Sequence, residues 1–92
     1  MSQHYVSLMG RQAKSQMHPI QCKMARAALG LGVRDLAKSA GVAINTVTRF
    51  ERGEELLPRT LEAIRAVFES AGVIFLADGE TVDGGPGVRL RT

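Results

Sequence analysis

The chain has 92 residues and a formal net charge of +3, and 45% of its residues are hydrophobic, with three Phe, one Tyr and no Trp. This length suits one domain whose single core is built mainly from Leu, Val, Ile, Ala and Phe. The single Cys22 excludes an intramolecular disulfide, and with only two His it makes no credible zinc site, so we predict neither a metal nor a cofactor.

The positive charge is concentrated in the first part of the chain. Residues 1–18 carry +2 and residues 19–53 carry +4, whereas residues 54–72 carry −2 and residues 73–92 carry −1. Such an excess favours a surface that binds phosphate, although an ordinary solvated surface can show the same bias. No apolar run approaches about 18 residues and no signal-peptide pattern opens the chain, so we expect a cytoplasmic protein with no membrane partner.

The first 18 residues are polar and show no sustained periodicity, which predicts a flexible N-terminal arm. Pro19 favours the first turn of a helix, because its missing N–H is not needed there. We predict that this helix runs to about Leu29, with Gln21 and Lys23 pointing away from the core and with an inward stripe of Cys22, Ala25, Arg26 and Leu29. Gly30 then ends the helix.

Two short apolar stripes follow, separated by a glycine. Leu36, Ala37 and Ala40 share one face of a helix that Gly41 ends, and the next stripe consists of Ala43, Val47 and Phe50. Two helices joined by so short a turn must cross steeply, and their contact needs small residues. This is the helix-turn-helix arrangement, and its predicted core consists of Leu36, Ala37, Gly41, Val47 and Phe50.

The spacing of Ala37, Gly41 and Val47, followed by Phe50-Glu51-Arg52-Gly53, resembles the lambda-repressor-like (XRE-type) DNA-binding family over roughly residues 19–70. The resemblance implies a mainly α fold of four to five helices and a DNA-binding repressor or related regulator. It also implies an ion pair between Arg26 on the first helix and Glu51. The alternative to a DNA-binding module is a small helical hairpin whose apolar stripes serve only its own core. The alternative to the ion pair is that Arg26 and Glu51 are two separate surface charges.

Helical spacing assigns the faces of the second motif helix. Val47, Phe50 and Glu51 face inward, whereas the outward residues are Ile44, Asn45, Thr48, Arg49 and Arg52. Asn can bind adenine and Arg can bind guanine through two hydrogen bonds each. We predict base contacts by Ile44, Asn45, Thr48 and Arg49, and phosphate contacts by Arg34, Thr46 and Arg52. The resemblance also places Ile44, Asn45 and Arg49 where bases are read and Arg52 where phosphate is held.

Two positions depart from the family pattern. Val33 stands where a DNA-contacting Gln is common, and Glu54 and Glu55 stand in a loop that is often basic. Both differences weaken the expected grip on phosphate.

The remaining chain predicts one more helix and two strands. Leu56 and Leu57 are expected to anchor the loop, and a helix beginning near Arg59 or Thr60 and ended by Gly72 carries an apolar stripe of Leu61, Ile64, Val67 and Phe68. The tail changes to strand patterns over Val73–Leu76 and Val88–Arg91, separated by a Gly-rich turn.

These patterns divide the chain into an arm (1–18), a helix-turn-helix domain (19–72) and a C-terminal strand pair (73–92). A two-stranded hairpin alone is marginally stable, so it must pack on the helices, pair with a second chain, or both. We predict a homodimeric transcription regulator that binds an inverted repeat of double-stranded DNA through the major groove. The alternative is an antitoxin-like or anti-activator module that binds a protein partner. We predict no enzyme, because no paired acid and base, Gly-rich phosphate loop, or Ser/His or Cys/His set is recognisable.

Overall fold

The computed structural model describes residues 17–80 and 83–91. Within these ranges the chain forms four helices and then two strands, which are α1 (Pro19–Leu29), α2 (Val33–Ala40), α3 (Ile44–Glu51), α4 (Pro58–Ser70), β1 (Val73–Leu76) and β2 (Gly87–Leu90). The predicted mainly α fold with a short C-terminal strand pair is therefore confirmed. Residues 1–16 of the predicted arm, including Arg11 and Lys14, lie outside the described residues.

Local sequence explains where the helices begin and end. Pro19 and Pro58 occupy the first positions of α1 and α4, where no hydrogen-bonded N–H is required. The helix α4 therefore begins slightly before the predicted Arg59. At the other end, α2 stops at Gly41, whose φ of +72° belongs to the left-handed region that glycine adopts at little cost.

The helices α2 and α3 are joined by the three residues 41–43 and pack against each other. Leu36 and Ala37 on α2 are buried, as are Val47 and Phe50 on α3. These are four of the five residues that the sequence assigns to the motif core, whereas the fifth, Gly41, is exposed and only ends α2. Ala43 differs from the expectation, because it is the exposed cap residue before α3 and the buried stripe begins at Val47.

The helix α4 packs against α2 and carries Phe68, the largest fully buried side chain in the described residues. Ile64 and Phe68 are fully buried, and the Phe68 ring meets Phe75 of β1 edge to face, with 6.0 Å between the ring centroids. The predicted anchoring role of Leu57 is wrong, because Leu57 precedes the first turn of α4 and is 73% exposed. Leu56, the other residue predicted to anchor the loop, does pack against the core.

The strands β1 and β2 pair in antiparallel fashion, with Val73 opposite Leu90 and Leu76 opposite Gly87. The first strand agrees with its predicted bounds, whereas the second begins one residue earlier than predicted. The sheet contacts α4 through β1 and α1 through β2, and it contributes Val73 and Phe75 to the core. The strand pair thus completes the core of the helical domain, and the boundary drawn at residue 72 does not separate two packing units.

Two residues at the start of α1 are placed differently from the prediction. Gln21, predicted to point away from the core, is only 1% exposed. Its Nε2 donates to the carbonyl oxygens of Leu76 (2.9 Å) and Gly87 (2.8 Å), while its Oε1 accepts from the His18 N–H (2.9 Å). A polar side chain can be buried when its hydrogen bonds are made in this way. Met17, assigned to the arm, is also buried in the core.

Candidate nucleic-acid interface

A partly buried ion pair ties α3 to α1. Arg26 Nε donates to Glu51 Oε2 and Arg26 Nη2 donates to Glu51 Oε1, both at 2.7 Å. Arg26 Nη1 donates a third hydrogen bond, of 3.2 Å, to the Leu31 carbonyl in the loop before α2. The predicted pair of Arg26 and Glu51 is thus present, and a single guanidinium holds the last residue of α3 together with the entry to α2.

The electrostatics around Glu51 favour its charged form. Burial alone would raise the pKa of its carboxyl, but hydrogen bonds from Arg26 and Cys22, aided by the positive charge of Arg26, hold the pKa below its usual value. Burial and then the hydrogen bond to Glu51 raise the pKa of the Cys22 thiol, so that it remains protonated. Cys22 is fully buried, as expected.

The face of α3 that lies away from the buried Val47 and Phe50 points to solvent. Ile44 is 42% exposed, and Asn45, Thr48 and Arg49 are also exposed. The Thr48 hydroxyl donates to the Ile44 carbonyl at 3.2 Å, one turn earlier in the helix. The four residues predicted to read bases thus lie on one accessible face, opposite Val47 and Phe50.

The residues predicted to hold phosphate lie on α2, in the first turn of α3 and directly after α3. Arg52, directly after α3, has a side chain that is 65% exposed, and Arg34 is exposed on α2. Thr46 is half-buried in the first turn of α3. Arg49 and Arg52 approach a common partner, Glu54.

The sequence predicts the environment of Glu54 only in part. Glu54 Oε1 lies 3.8 Å from Arg49 Nε, and Glu54 Oε2 lies 3.5 Å from Arg52 Nη2. The sequence marks Glu54 as an acidic departure in a loop, but it does not say which charges the carboxylate meets. The sequence feature that indicates the position of Glu54 is Gly53. A left-handed glycine at the end of a helix turns the chain back over that helix.

None of the helices in the described ranges has the length and apolar character needed to cross a bilayer. No group of His, Cys, Asp and Glu within residues 17–80 and 83–91 is arranged to hold a metal ion. No model of a known protein family matches the chain, and no curated protein matches it either.

Proposed function

We propose that the protein is a sequence-specific DNA-binding regulator of transcription and that α3 is its recognition helix. The observation that carries the proposal is the mounting of α3. Its inner face is locked by Val47, Phe50 and the two-point ion pair of Glu51, while its outer face presents an amide, a hydroxyl and a guanidinium to solvent. A rigid element with exposed hydrogen-bonding groups is what reading of base edges requires.

In this proposal α3 lies in the major groove with its first turns against the bases. Asn45 and Arg49 supply the two side chains best suited to bidentate bonds with adenine and guanine, and Ile44 offers an apolar contact for a thymine methyl group. Arg34 on α2 and Arg52 after α3 contact phosphates on either side, and phosphate contacts set register rather than sequence.

We further propose that two copies bind an inverted repeat. A single helix of this length reads few base pairs, and a two-fold dimer doubles the site. Leu90 supports the choice of β2 as the contact, because it lies opposite the buried Val73 and yet remains 43% exposed. Each strand of the two-stranded sheet also has one edge without a partner strand in the described part of the chain.

The test is selection of bound duplexes from a random pool, followed by gel-shift titration of the enriched and random sequences at two salt concentrations. The proposal predicts an enriched motif with inverted symmetry and affinity at least about a thousandfold above that for random DNA. Binding that is equal for all sequences would reduce the protein to a general DNA binder. Absence of binding at the lower salt concentration would favour a module that binds a protein partner on the same fold.

A further inference from the structure

The chain reversal after α3 fixes where Glu54 lies. The Gly53 N–H bonds to the Phe50 carbonyl at 2.9 Å, and the Glu54 N–H bonds to the Arg49 carbonyl at 3.0 Å. Together with the φ of +105° at Gly53, these bonds form a Schellman motif. The backbone of Glu54 is thereby tied to the backbone of Arg49, which keeps the two side chains within reach of each other.

The ends of α1 and α2 have the same pattern and provide an internal comparison. Each closes with a left-handed glycine and with a bond from the next residue back to the helix, Leu31 N–H to Arg26 at 2.9 Å and Val42 N–H to Ala37 at 3.0 Å. The residue after the glycine usually makes an apolar contact in this motif, and Leu31 and Val42 both pack against the core. At α3 the equivalent position holds an exposed carboxylate.

Helix stability does not explain that carboxylate. The C-terminus of a helix carries a partial negative charge, which disfavours an acid there and favours the two nearby arginines. The ion pairs of Glu54 are long, and all three side chains are more than half exposed, so they contribute little to the free energy of unfolding. The charges that Glu54 approaches belong to Arg49 and Arg52, so its carboxylate acts on any anion that approaches those two guanidinium groups.

We propose that Glu54 is a specificity-determining residue, an internal counter-anion that weakens contacts of Arg49 and Arg52 with phosphate while leaving Arg49 able to read a base. This inference rests on the proposed DNA-binding function. A phosphate that approaches either arginine competes with the carboxylate and is repelled by it. The ion pair of Arg49 is made through Nε, which leaves both terminal nitrogens to bind the two acceptors of guanine.

The two kinds of complex therefore respond differently to Glu54. On random DNA the arginines can only turn toward phosphates, and Glu54 opposes that movement. On the selected site the terminal nitrogens of Arg49 bind a base. Glu54 lies beside Nε and limits the movement of the guanidinium. The carboxylate thus lowers the affinity for random DNA more than it lowers the affinity for the selected site.

The test compares Glu54→Gln with Glu55→Gln, which removes the same charge from the adjacent exposed residue. Fluorescence anisotropy measures the affinity for a random-sequence duplex and for the selected duplex over a salt series, and thermal unfolding checks the fold. Glu54→Gln should bind random DNA roughly three- to tenfold more tightly, gain less on the selected site, and show a salt dependence steeper by up to about one unit in the log–log slope. Glu55→Gln should show a smaller change that is the same for both duplexes.

The outcomes separate this inference from the function on which it rests. If the wild type binds DNA but the two Gln variants behave alike, the role of Glu54 is wrong and the DNA-binding function stands. If Glu54→Gln improves binding to both duplexes by the same factor, Glu54 is a general repulsive charge and does not determine specificity. If neither the wild type nor Glu54→Gln binds any duplex, the proposed function fails and the inference fails with it.

Discussion

Arg26 and Glu51 form a two-point ion pair, with both nitrogen–oxygen distances at 2.7 Å, between α1 and the last residue of α3. The Glu51 side chain is 7% exposed and that of Arg26 is 21% exposed. A pair this far removed from water stabilises the fold only while both members are present, because each compensates the desolvation of the other. The pair also fixes the end of α3, so the outer face of that helix depends on it.

The first prediction is that Arg26→Ala and Glu51→Ala each destabilise the protein and that their effects are not additive. Each single change leaves a charge without its partner. It should lower the free energy of unfolding by about 3 kcal/mol, near the lower end for buried pairs, because Arg26 is partly exposed. Urea unfolding of both single variants and the double variant gives the coupling free energy. Glu62→Gln, on the exposed face of α4, is the control for loss of a carboxylate. Strictly additive losses would contradict the predicted coupling.

The second prediction concerns the pH dependence of stability. The pKa of the Glu51 carboxyl is lowered in the folded state, so its charged form stabilises the fold at pH values above the unfolded pKa of about 4.3. This stabilisation is lost as the pH falls through the lower pKa of the folded state. The difference in unfolding free energy between the wild type and Glu51→Gln should therefore be constant from about pH 5 to 7 and should narrow in more acidic solution. A difference that widened on acidification would mean that the pKa is raised instead.

The third prediction tests the link between α1 and the sheet. Gln21→Ala removes both donors to the Leu76 and Gly87 carbonyls and should destabilise the protein by about 1–3 kcal/mol in urea unfolding. Gln21→Glu keeps the size of the side chain but replaces the donor by an oxygen facing those carbonyls, so it should be at least as harmful. Lys23→Ala, exposed on the same helix, is the control. Equal stability of all three variants would show that the link contributes nothing.

The elements were predictable from the sequence where local chemistry decides them. Pro19 and Gly41 mark helix ends, and the spacing of Leu36, Val47 and Phe50 gives the inner faces of α2 and α3. Gln21 was not predictable, because its burial depends on two carbonyls more than 50 residues away. A polar side chain on a helix is assigned to solvent unless its distant partners are known.

The candidate interface divides in the same way. Helical periodicity places Asn45 and Arg49 on the outer face of α3, and the structure has them exposed there. The counter-charge of Glu54 depends on a chain reversal that a sequence pattern indicates only through Gly53. Leu57 is the opposite case. The sequence predicts that this apolar residue anchors its loop, but its side chain is exposed.

The fourth prediction is that Arg49→Ala leaves the fold intact and weakens binding to the selected site by about 1–3 kcal/mol, with lost discrimination at one base position. The reason is that Arg49 is exposed on α3 and its terminal nitrogens can bind both acceptors of guanine. Titration of duplexes with each base at that position provides the measurement. Arg59→Ala, which removes the same charge from the exposed first turn of α4, is the control. An equal loss on selected and random DNA would make Arg49 a phosphate contact.

The last prediction concerns assembly. Deleting the chain from Val73 onward is a poor test of a dimer formed through the strands, because it would remove Val73 and Phe75 from the core. Leu90→Lys is sharper, since it places a charge on the exposed apolar residue of β2 and leaves Val73 and Phe75 in the core. If two copies pair through β2, the charge faces its own copy across the two-fold axis, and the dimer should weaken by roughly tenfold or more.

Leu57→Lys is the matched control, because Leu57 is a still more exposed leucine at the start of α4, away from the strands. Sedimentation equilibrium at tens of micromolar should give a dimer for the wild type and for Leu57→Lys, and a shift toward monomer for Leu90→Lys. Binding to an inverted repeat should weaken in parallel, while binding to a single half-site stays unchanged, because α3 itself is untouched. A wild-type protein that sediments as a monomer at these concentrations would rule out the dimer in free solution, and the strand pair would then serve only to complete the core.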